Sequence, residues 1–357
     1  MDFELSEAQQ VIAASAADVL KGAADSGSAW PALASAGLLA LTLPGWLDGD
    51  DLGVLDAAVL LTEVGRAAAG IPALATIMLG ALPVVRWGSR AQQELLLAGV
   101  GTGETILTAG IRERSEPRPA VPATVATLSG DDAGVVTGTK VGVPYAAQAR
   151  WLLIPAALAG GRGRALVVVD PAGAGVAIAP TPASGDCPEA TVRLDQAPIT
   201  GVLRAGQEPG TDAIDDLYLL ATAGAAAQAD GALAGALDLT SGYIAQRHQF
   251  GKPLATFQAV AQQIADVYIA GRTLHLAALS ANWRLAAGLD ATGDVDLAAF
   301  WLSQEGPPAM RTCHHLHGGI GVDMEYPMQR YSSMISDLTR LVGGVDYCLE
   351  VLTADVH

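Results

Sequence analysis

Two stretches in the last third of the chain decide its reading. The first is Arg247-His-Gln-Phe-Gly-Lys-Pro-Leu-Ala-Thr-Phe-Gln258. The second is His314-His-Leu-His-Gly-Gly-Ile-Gly321, which continues through Glu325-Tyr-Pro327 to Leu341-Val-Gly-Gly344. In the first, Arg247 closes a long helix-forming run, and its guanidinium can meet a pyrophosphate through two parallel hydrogen bonds. Phe250 supplies an apolar face, Gly251 lets a ligand approach the backbone, and Gln258 can read polar ring edges. In the second, Gly318 and Gly319 follow a helical stretch ending at His317, so exposed amides there can face a phosphate. Taken singly, each motif is weak. Short Arg-x-x-Phe-Gly runs are more often helix–turn–helix corners, and glycine pairs commonly end helices. The two in this order, about sixty residues apart, are far more specific together.

Working outward, the texture of the chain falls into three parts. Residues 1–105 read as helical: Ser6 with Gln9 makes a capping box, and Leu55 to Ala69 and Gln92 to Leu97 are Ala/Leu-rich runs punctuated by Gly and Pro. Residues 106–205 turn rich in Val and Thr. Val135 to Val141, Trp151 to Ile154 and Ala165 to Val169 are the clearest strands, and they predict a small antiparallel sheet domain. Residues 206–357 are helical again, with Ala213 to Gln246 and Phe257 to Ala287 as long helices broken at Phe250-Gly-Lys-Pro253. Helices, sheet, helices is an α+β plan.

Composition narrows the function classes. The 357 residues suit two or three packed domains, and 51% hydrophobic against 16% charged residues favours a subunit that buries surface against partners. A net charge of −17 repels phosphate backbones and argues against nucleic-acid binding. Any anionic ligand must be held by local positive groups. The three cysteines, Cys187, Cys313 and Cys348, are scattered and odd in number, and the amino terminus lacks the basic start and apolar run of a signal peptide. A reduced, cytoplasmic chain is the expectation. The apolar run Leu217 to Leu239 is interrupted by Gln228 and Asp230, which predicts a buried core helix, not a membrane span. No GxGxxG follows a strand and no GxxxxGK[ST] occurs, so a dinucleotide must be held another way. His314 and His317 stand one helical turn apart, but no acid or cysteine sits at matching spacing. A polar helix end, with no metal, is expected there.

With the two motifs in order inside this plan, the chain resembles the acyl-CoA dehydrogenases over nearly its full length. Within that family, Arg247 to Tyr268 and Cys313 to Gly344 are most similar to the shorter, base-lacking subunits of mycobacterial heteromeric dehydrogenases that act on the shortened cholesterol side chain as a CoA thioester. The resemblance implies a fold with an N-terminal helical domain, a middle antiparallel β domain and a C-terminal four-helix bundle. It also implies an FAD shared between two subunits, with Arg247, Phe250, Gly251, Gln258, His315, Gly318 and Gly319 holding its ADP part. His315 stands where many relatives have Gln.

The departures from the family matter as much. Where relatives carry Thr-Glu-Pro-Gly-Ala-Gly-Ser-Asp and Trp-Ile-Thr-Asn around the flavin ring, this chain has Thr108 to Ser115 and Val141 to Tyr145. Where many end the second motif with Tyr-Glu-Gly-Thr, it has Leu341-Val342-Gly343-Gly344, so the usual base position is Val342. The other position used by relatives falls in Leu217 to Gln228, which contains no acid. Asp215, Asp216 and Asp337 are the outside candidates for a relocated base, and Glu325 reads as structural. The expected reading is a subunit that donates cofactor-binding residues to a paralogous partner, in an α2β2 assembly where the partner supplies base and thioester pocket. The alternatives are a complete homomeric enzyme with a relocated carboxylate, or a flavin-free structural partner.

Overall fold

The computed structural model describes residues 4–23, 25–161, 163–204 and 212–354. The first part is helical: α1 (Glu7–Gly22), α2 (Ser26–Ser35), α3 (Val54–Arg66), α4 (Ala73–Thr76), α5 (Leu82–Trp87) and α6 (Arg90–Leu97). The capping box at α1 forms as the sequence demands. Gln9 N–H donates to Ser6 Oγ at 3.3 Å, and Ser6 N–H donates to Gln9 Oε1 at 3.1 Å. Between α4 and α5 one wide π turn, Ile77–Ala81, keeps the helix continuous.

The strands are β1 (Leu107–Ala109), β2 (Val125–Leu128), β3 (Gly134–Pro144), β4 (Trp151–Leu158), β5 (Arg164–Val169), β6 (Val176–Thr181) and β7 (Glu189–Leu203). Strands β4, β2, β3, β7 and β5 pair in a ring, because β5 also pairs with β4. β1 and β6 attach to β4 and β7. The expectation of an antiparallel sheet needs correction: β1 and β2 both run parallel to β4, so the sheet is mixed. The reason is the long excursion between β1 and β2, which returns the chain to β4 in the same direction and not through a hairpin. Alternating Val, Leu and Ile side chains fill the barrel. Among them lies an ion pair: Lys140, fully buried, donates to Glu113 Oε1 at 2.7 Å.

The rest is a helical bundle: α7 (Ala213–Gln246), α8 (Gln258–Ala286), α9 (Thr292–His317) and α10 (Met328–Val342), with α11 (Gly344–Ala354) added against α9 as a fifth helix. A two-residue hairpin, β8 (His248–Gln249) with β9 (Lys252–Pro253), joins α7 to α8. Helix α7 is buried almost all round, including Gln228 and Asp230, which marks it as the bundle's central helix. Among the described residues no helix is long and apolar enough to cross a membrane.

Helices α3 and α7 cross backbone against backbone. A Cβ on Gly65 would stand 1.9 Å from Gln228 O, and one on Gly231 would stand 1.8 Å from Thr62 O. This pair of glycines locks the first helical part onto the bundle, because any side chain there would push the two helices apart.

Candidate functional site

Helix α7 ends at Gln246, and the Arg247 backbone N–H still donates to Tyr243 O at 2.8 Å. The chain then turns over Phe250 (φ +51) and Gly251 (φ +79), the double positive φ of a type I′ hairpin turn. Gly251 adopts this freely, whereas an aromatic does not. The turn thrusts Phe250 out until it is 92% exposed. Its ring and that of Phe257 pack edge to face, with centroids 6.2 Å apart, and Lys252 Nζ lies 4.3 Å over the same Phe257 ring. Leu254 N–H donates back to Arg247 O at 2.8 Å and closes the corner. Gln258 opens α8 with its side chain exposed. The Arg247 side chain is exposed, and none of the ion pairs among the described residues includes it.

The second motif ends α9. Gly318 takes φ +64 and ψ −140, which a side chain would forbid, and a short 3₁₀ turn, Gly318–Val322, follows. His315 faces outward. His314 Nδ1 bonds Gly321 O at 2.7 Å and His317 Nδ1 bonds Cys313 O at 2.9 Å, so both flanking imidazoles serve the backbone. Among the described residues no group of three or more His, Cys, Asp or Glu could hold a metal. His317 is buried, and burial pushes its pKa below the usual imidazole value. Its ring stacks on Tyr243 (4.5 Å, 24°) and meets Tyr326 at 5.2 Å. Because Tyr243 lies one helical turn before Arg247, this stack fastens the Gly318 turn to the Arg247 corner. The two motifs therefore sit on one surface. At Gly251, Gly318 and Gly319 a Cβ would meet nothing within 4 Å, so the backbone of that surface is open from outside.

Tyr243 and Tyr326 were not singled out by sequence reasoning. Their signal was faint: a Tyr four residues before Arg247, and the middle residue of Glu325-Tyr-Pro327. Glu325 itself is exposed, and its backbone N–H donates to Asp323 at 3.0 Å.

Midway along α7 the bundle is closed against the β domain. Between α4, the end of β3, α7 and α10 lies a cavity of about 50 Å³, bordered by Leu74, Pro144, Gln228, Met334, Asp337 and Leu341. Arg340 seals its edge, donating to Glu189 and Asp337, both at 2.8 Å. Val342 is buried at the end of α10 and carries no proton acceptor. The outside candidates for a base are tied. Asp215 bonds Arg164; Asp216 bonds Arg86 and accepts from Trp87 Nε1 at 2.7 Å; Asp337 bonds Arg340 and accepts from Ser184 N–H at 3.0 Å.

A wider cleft of about 800 Å³ opens beside the start of α7. Its walls carry Asp212, Asp215, Asp216, Asp290 and Asp296 against two arginines, Arg86 and Arg118. Arg118 is spent on Asp296 at 2.7 Å. Arg164 holds Asp212 and Asp215, and Arg86 holds Asp216, so most of these carboxylates are committed to ion pairs.

Comparison with known proteins gives the family. The acyl-CoA dehydrogenase N-terminal domain matches residues 6–104, and the acyl-CoA dehydrogenase C-terminal domain matches residues 219–347. The chain belongs to the acyl-CoA dehydrogenase family. This acyl-CoA dehydrogenase is 45% identical over 355 residues to the acyl-CoA dehydrogenase FadE28 of Mycobacterium tuberculosis, covering 99% of this chain and 98% of the relative. Its fold matches a solved steroid ACAD, Tcur3481–Tcur3483, with a TM-score of 0.90 at 30% identity, over 98% of both chains. It also matches the ChsE4–ChsE5 complex of M. tuberculosis with a TM-score of 0.88 at 29% identity, over 100% of this chain and 99% of that one. Acyl-CoA dehydrogenases are FAD-dependent oxidoreductases, so FAD is the cofactor of this class.

Proposed function

We propose that this chain is the base-lacking subunit of a heteromeric acyl-CoA dehydrogenase, that it embraces the ADP half of an FAD, and that a paralogous subunit carries the flavin ring, the thioester and the catalytic carboxylate. One observation carries the reading: the chain is open where an ADP would lie and closed where a flavin ring would lie. On the open surface an unpaired Arg247 guanidinium, bare backbone at Gly318 and Gly319 and the projecting Phe250 ring fit a pyrophosphate with an adenosine beside it. On the closed side, about 50 Å³ falls far below the roughly 300–1,000 Å³ that small-molecule sites span.

In this reading Arg247 neutralises the pyrophosphate, Gly318 and Gly319 donate their amides, and His315 and Gln258 hydrogen-bond at the rim. Phe250 covers the adenosine side and excludes water. When bound, FAD supplies the acceptor for a hydride leaving Cβ of an acyl-CoA while a carboxylate removes the Cα proton. The carboxylate belongs to the partner, because Val342 has none and Asp215, Asp216 and Asp337 are held by arginines. The likeness to FadE28 and to the two steroid-type complexes supports a steroid side-chain thioester, of the cholesterol-derived kind, as substrate and an α2β2 assembly.

The test is to express the chain alone and together with its paralogue. The chain alone is expected to be colourless and inert toward acyl-CoA. The co-expressed complex is expected to carry bound FAD that acyl-CoA bleaches. A yellow, acyl-CoA-reducible protein from this chain alone would instead mean a complete enzyme.

A further inference from the structure

Helix α8 carries two apolar stripes, where a helix on the outside of a folded chain needs one. The inner stripe, with Val267, Ala270, Leu274, Ala281 and Leu285, is buried. Helix α8 packs mainly against α7 and α9 and less against α3. The outer stripe is Ala265, Ile269, Arg272, Leu276, Leu279 and Trp283. These positions alternate by four and three residues, the spacing of a helix–helix seam, and all but Arg272 are apolar. Ile269 is 60% exposed and Leu276 49%, with Tyr268 beside them at 55%. No residue of α8 before Val267 is buried, so the start of the helix stands clear of the bundle.

Place and charge identify the occupant. Gln258, the first residue of α8, closes the Arg247 motif, so the stripe continues from the surface proposed to hold the ADP of a shared FAD. A subunit that reaches across that surface to hold the flavin ring lies next to α8 as well. Arg272 then sets the chemistry. None of the ion pairs among the described residues includes it. A guanidinium enclosed in an apolar seam needs a carboxylate opposite it, and one such charge fixes both partner and register. A second copy of this chain brings the same arginine and no Asp or Glu on the stripe.

We propose that the outer stripe of α8 is the docking surface for the paralogous subunit. It is covered by a helix of that subunit which is apolar at the same alternating spacing and carries a carboxylate opposite Arg272. This rests on the heteromeric reading above, but its readout is assembly and not flavin.

The test co-expresses the chain with its paralogue and follows dissociation of the purified complex on dilution by light scattering, with flavin absorbance recorded separately. Ile269→Asp and Leu276→Asp are each expected to weaken assembly about a hundred-fold, the scale of burying an unpaired carboxylate. The isolated chain is expected to keep its circular dichroism and melting temperature in both variants. Arg272→Leu is expected to weaken assembly about ten-fold or more, because it strands the partner's carboxylate. Leu95→Asp on α6, at a leucine 54% exposed, is expected to leave assembly unchanged. Wild-type assembly in Ile269→Asp, tighter assembly in Arg272→Leu, equal disruption by Leu95→Asp, or loss of self-association in place of co-assembly would each overturn the proposal. A pair that Ile269→Asp breaks but that carries no FAD would support this surface and count against the shared-cofactor reading.

Discussion

The imidazole of His317 stacks on the phenol ring of Tyr243 with centroids 4.5 Å apart and planes 24° from parallel. This contact joins the last turn of α9 to the last turn of α7, two helices that pack along their length, and two motifs separated by about sixty residues share a surface. His317 Nε2 is buried without a partner, so the ring is kept neutral. Aromatic pairs of this kind contribute roughly 0.5–1.5 kcal/mol beyond their buried area.

Replacing Tyr243 with Ala removes the stack and leaves Arg247 intact. FAD retention by the assembled complex is expected to fall several-fold, while the circular dichroism of the chain changes little. Gel filtration followed by flavin absorbance checks this. Full retention would mean that the Gly318 turn holds its place without the stack.

The pH dependence of stability follows from the same imidazole. Burial depresses its folded-state pKa below the unfolded value of about 6.5. Between those two values the unfolded chain binds more protons, so stability is full above about 6.5 and is lost as pH falls through that value toward the folded pKa. His317→Phe keeps an aromatic stack and removes the titration. Urea unfolding of wild type and variant from pH 7.5 to 5 should show a smaller acid loss in the variant.

Phe250 holds an αL conformation in a turn whose favoured first residue is Asn, at a cost of about 1–2 kcal/mol for a bulky side chain. Phe250→Asn is therefore expected to raise the melting temperature of the isolated chain by a few degrees, in line with roughly 1 kcal/mol in a domain-sized unit. The same change is expected to lower FAD retention in the complex. Stability and cofactor binding moving in opposite directions would mark the strain as functional.

Lys140 and Glu113 form a buried ion pair inside the β domain. Burial alone would raise the Glu113 carboxyl, but the bonds from Lys140, Thr124 and Ala123 outweigh it and hold the pKa below the ordinary value. Its contribution to stability is thus present above the unfolded carboxyl value and is lost as pH falls toward the folded one. Glu113→Gln leaves the ammonium without its counter-charge and is expected to cost about 3–5 kcal/mol, with Lys140→Met in the same chain recovering much of it. Denaturant titration of the single and double variants reads both.

Much of this architecture is legible in the residues, and the failures have physical causes. Helix α7 runs from Ala213 to Gln246 as the sequence reading has it, since its apolar run lacks Pro and ends where the Phe250-Gly-Lys-Pro253 turn begins. The Ser6–Gln9 box is likewise local chemistry that needs no tertiary help. Pro307 and Pro308 would argue for a break, yet α9 continues through them to His317, because packing against α7, α8 and α10 outweighs the lost hydrogen bonds. The parallel pairing of β1 and β2 with β4 is invisible in a period-two pattern, which reports burial and not direction. At the candidate site, Arg247, Gly251 and Gly318 are readable from residue type. The stack that joins them is not, because Tyr243 and His317 are 74 residues apart and look like ordinary helix residues.

The central claim is that this chain holds the ADP half of a shared cofactor. The most direct measurement is FAD per complex, from flavin absorbance against protein, for the co-expressed assembly carrying Arg247→Ala in this chain only. Charge-assisted bonds of this type are worth about 1.5–3 kcal/mol, so the variant complex should assemble yet bind FAD on the order of ten- to a hundred-fold more weakly. A variant complex that keeps the wild-type FAD content and affinity would contradict the account.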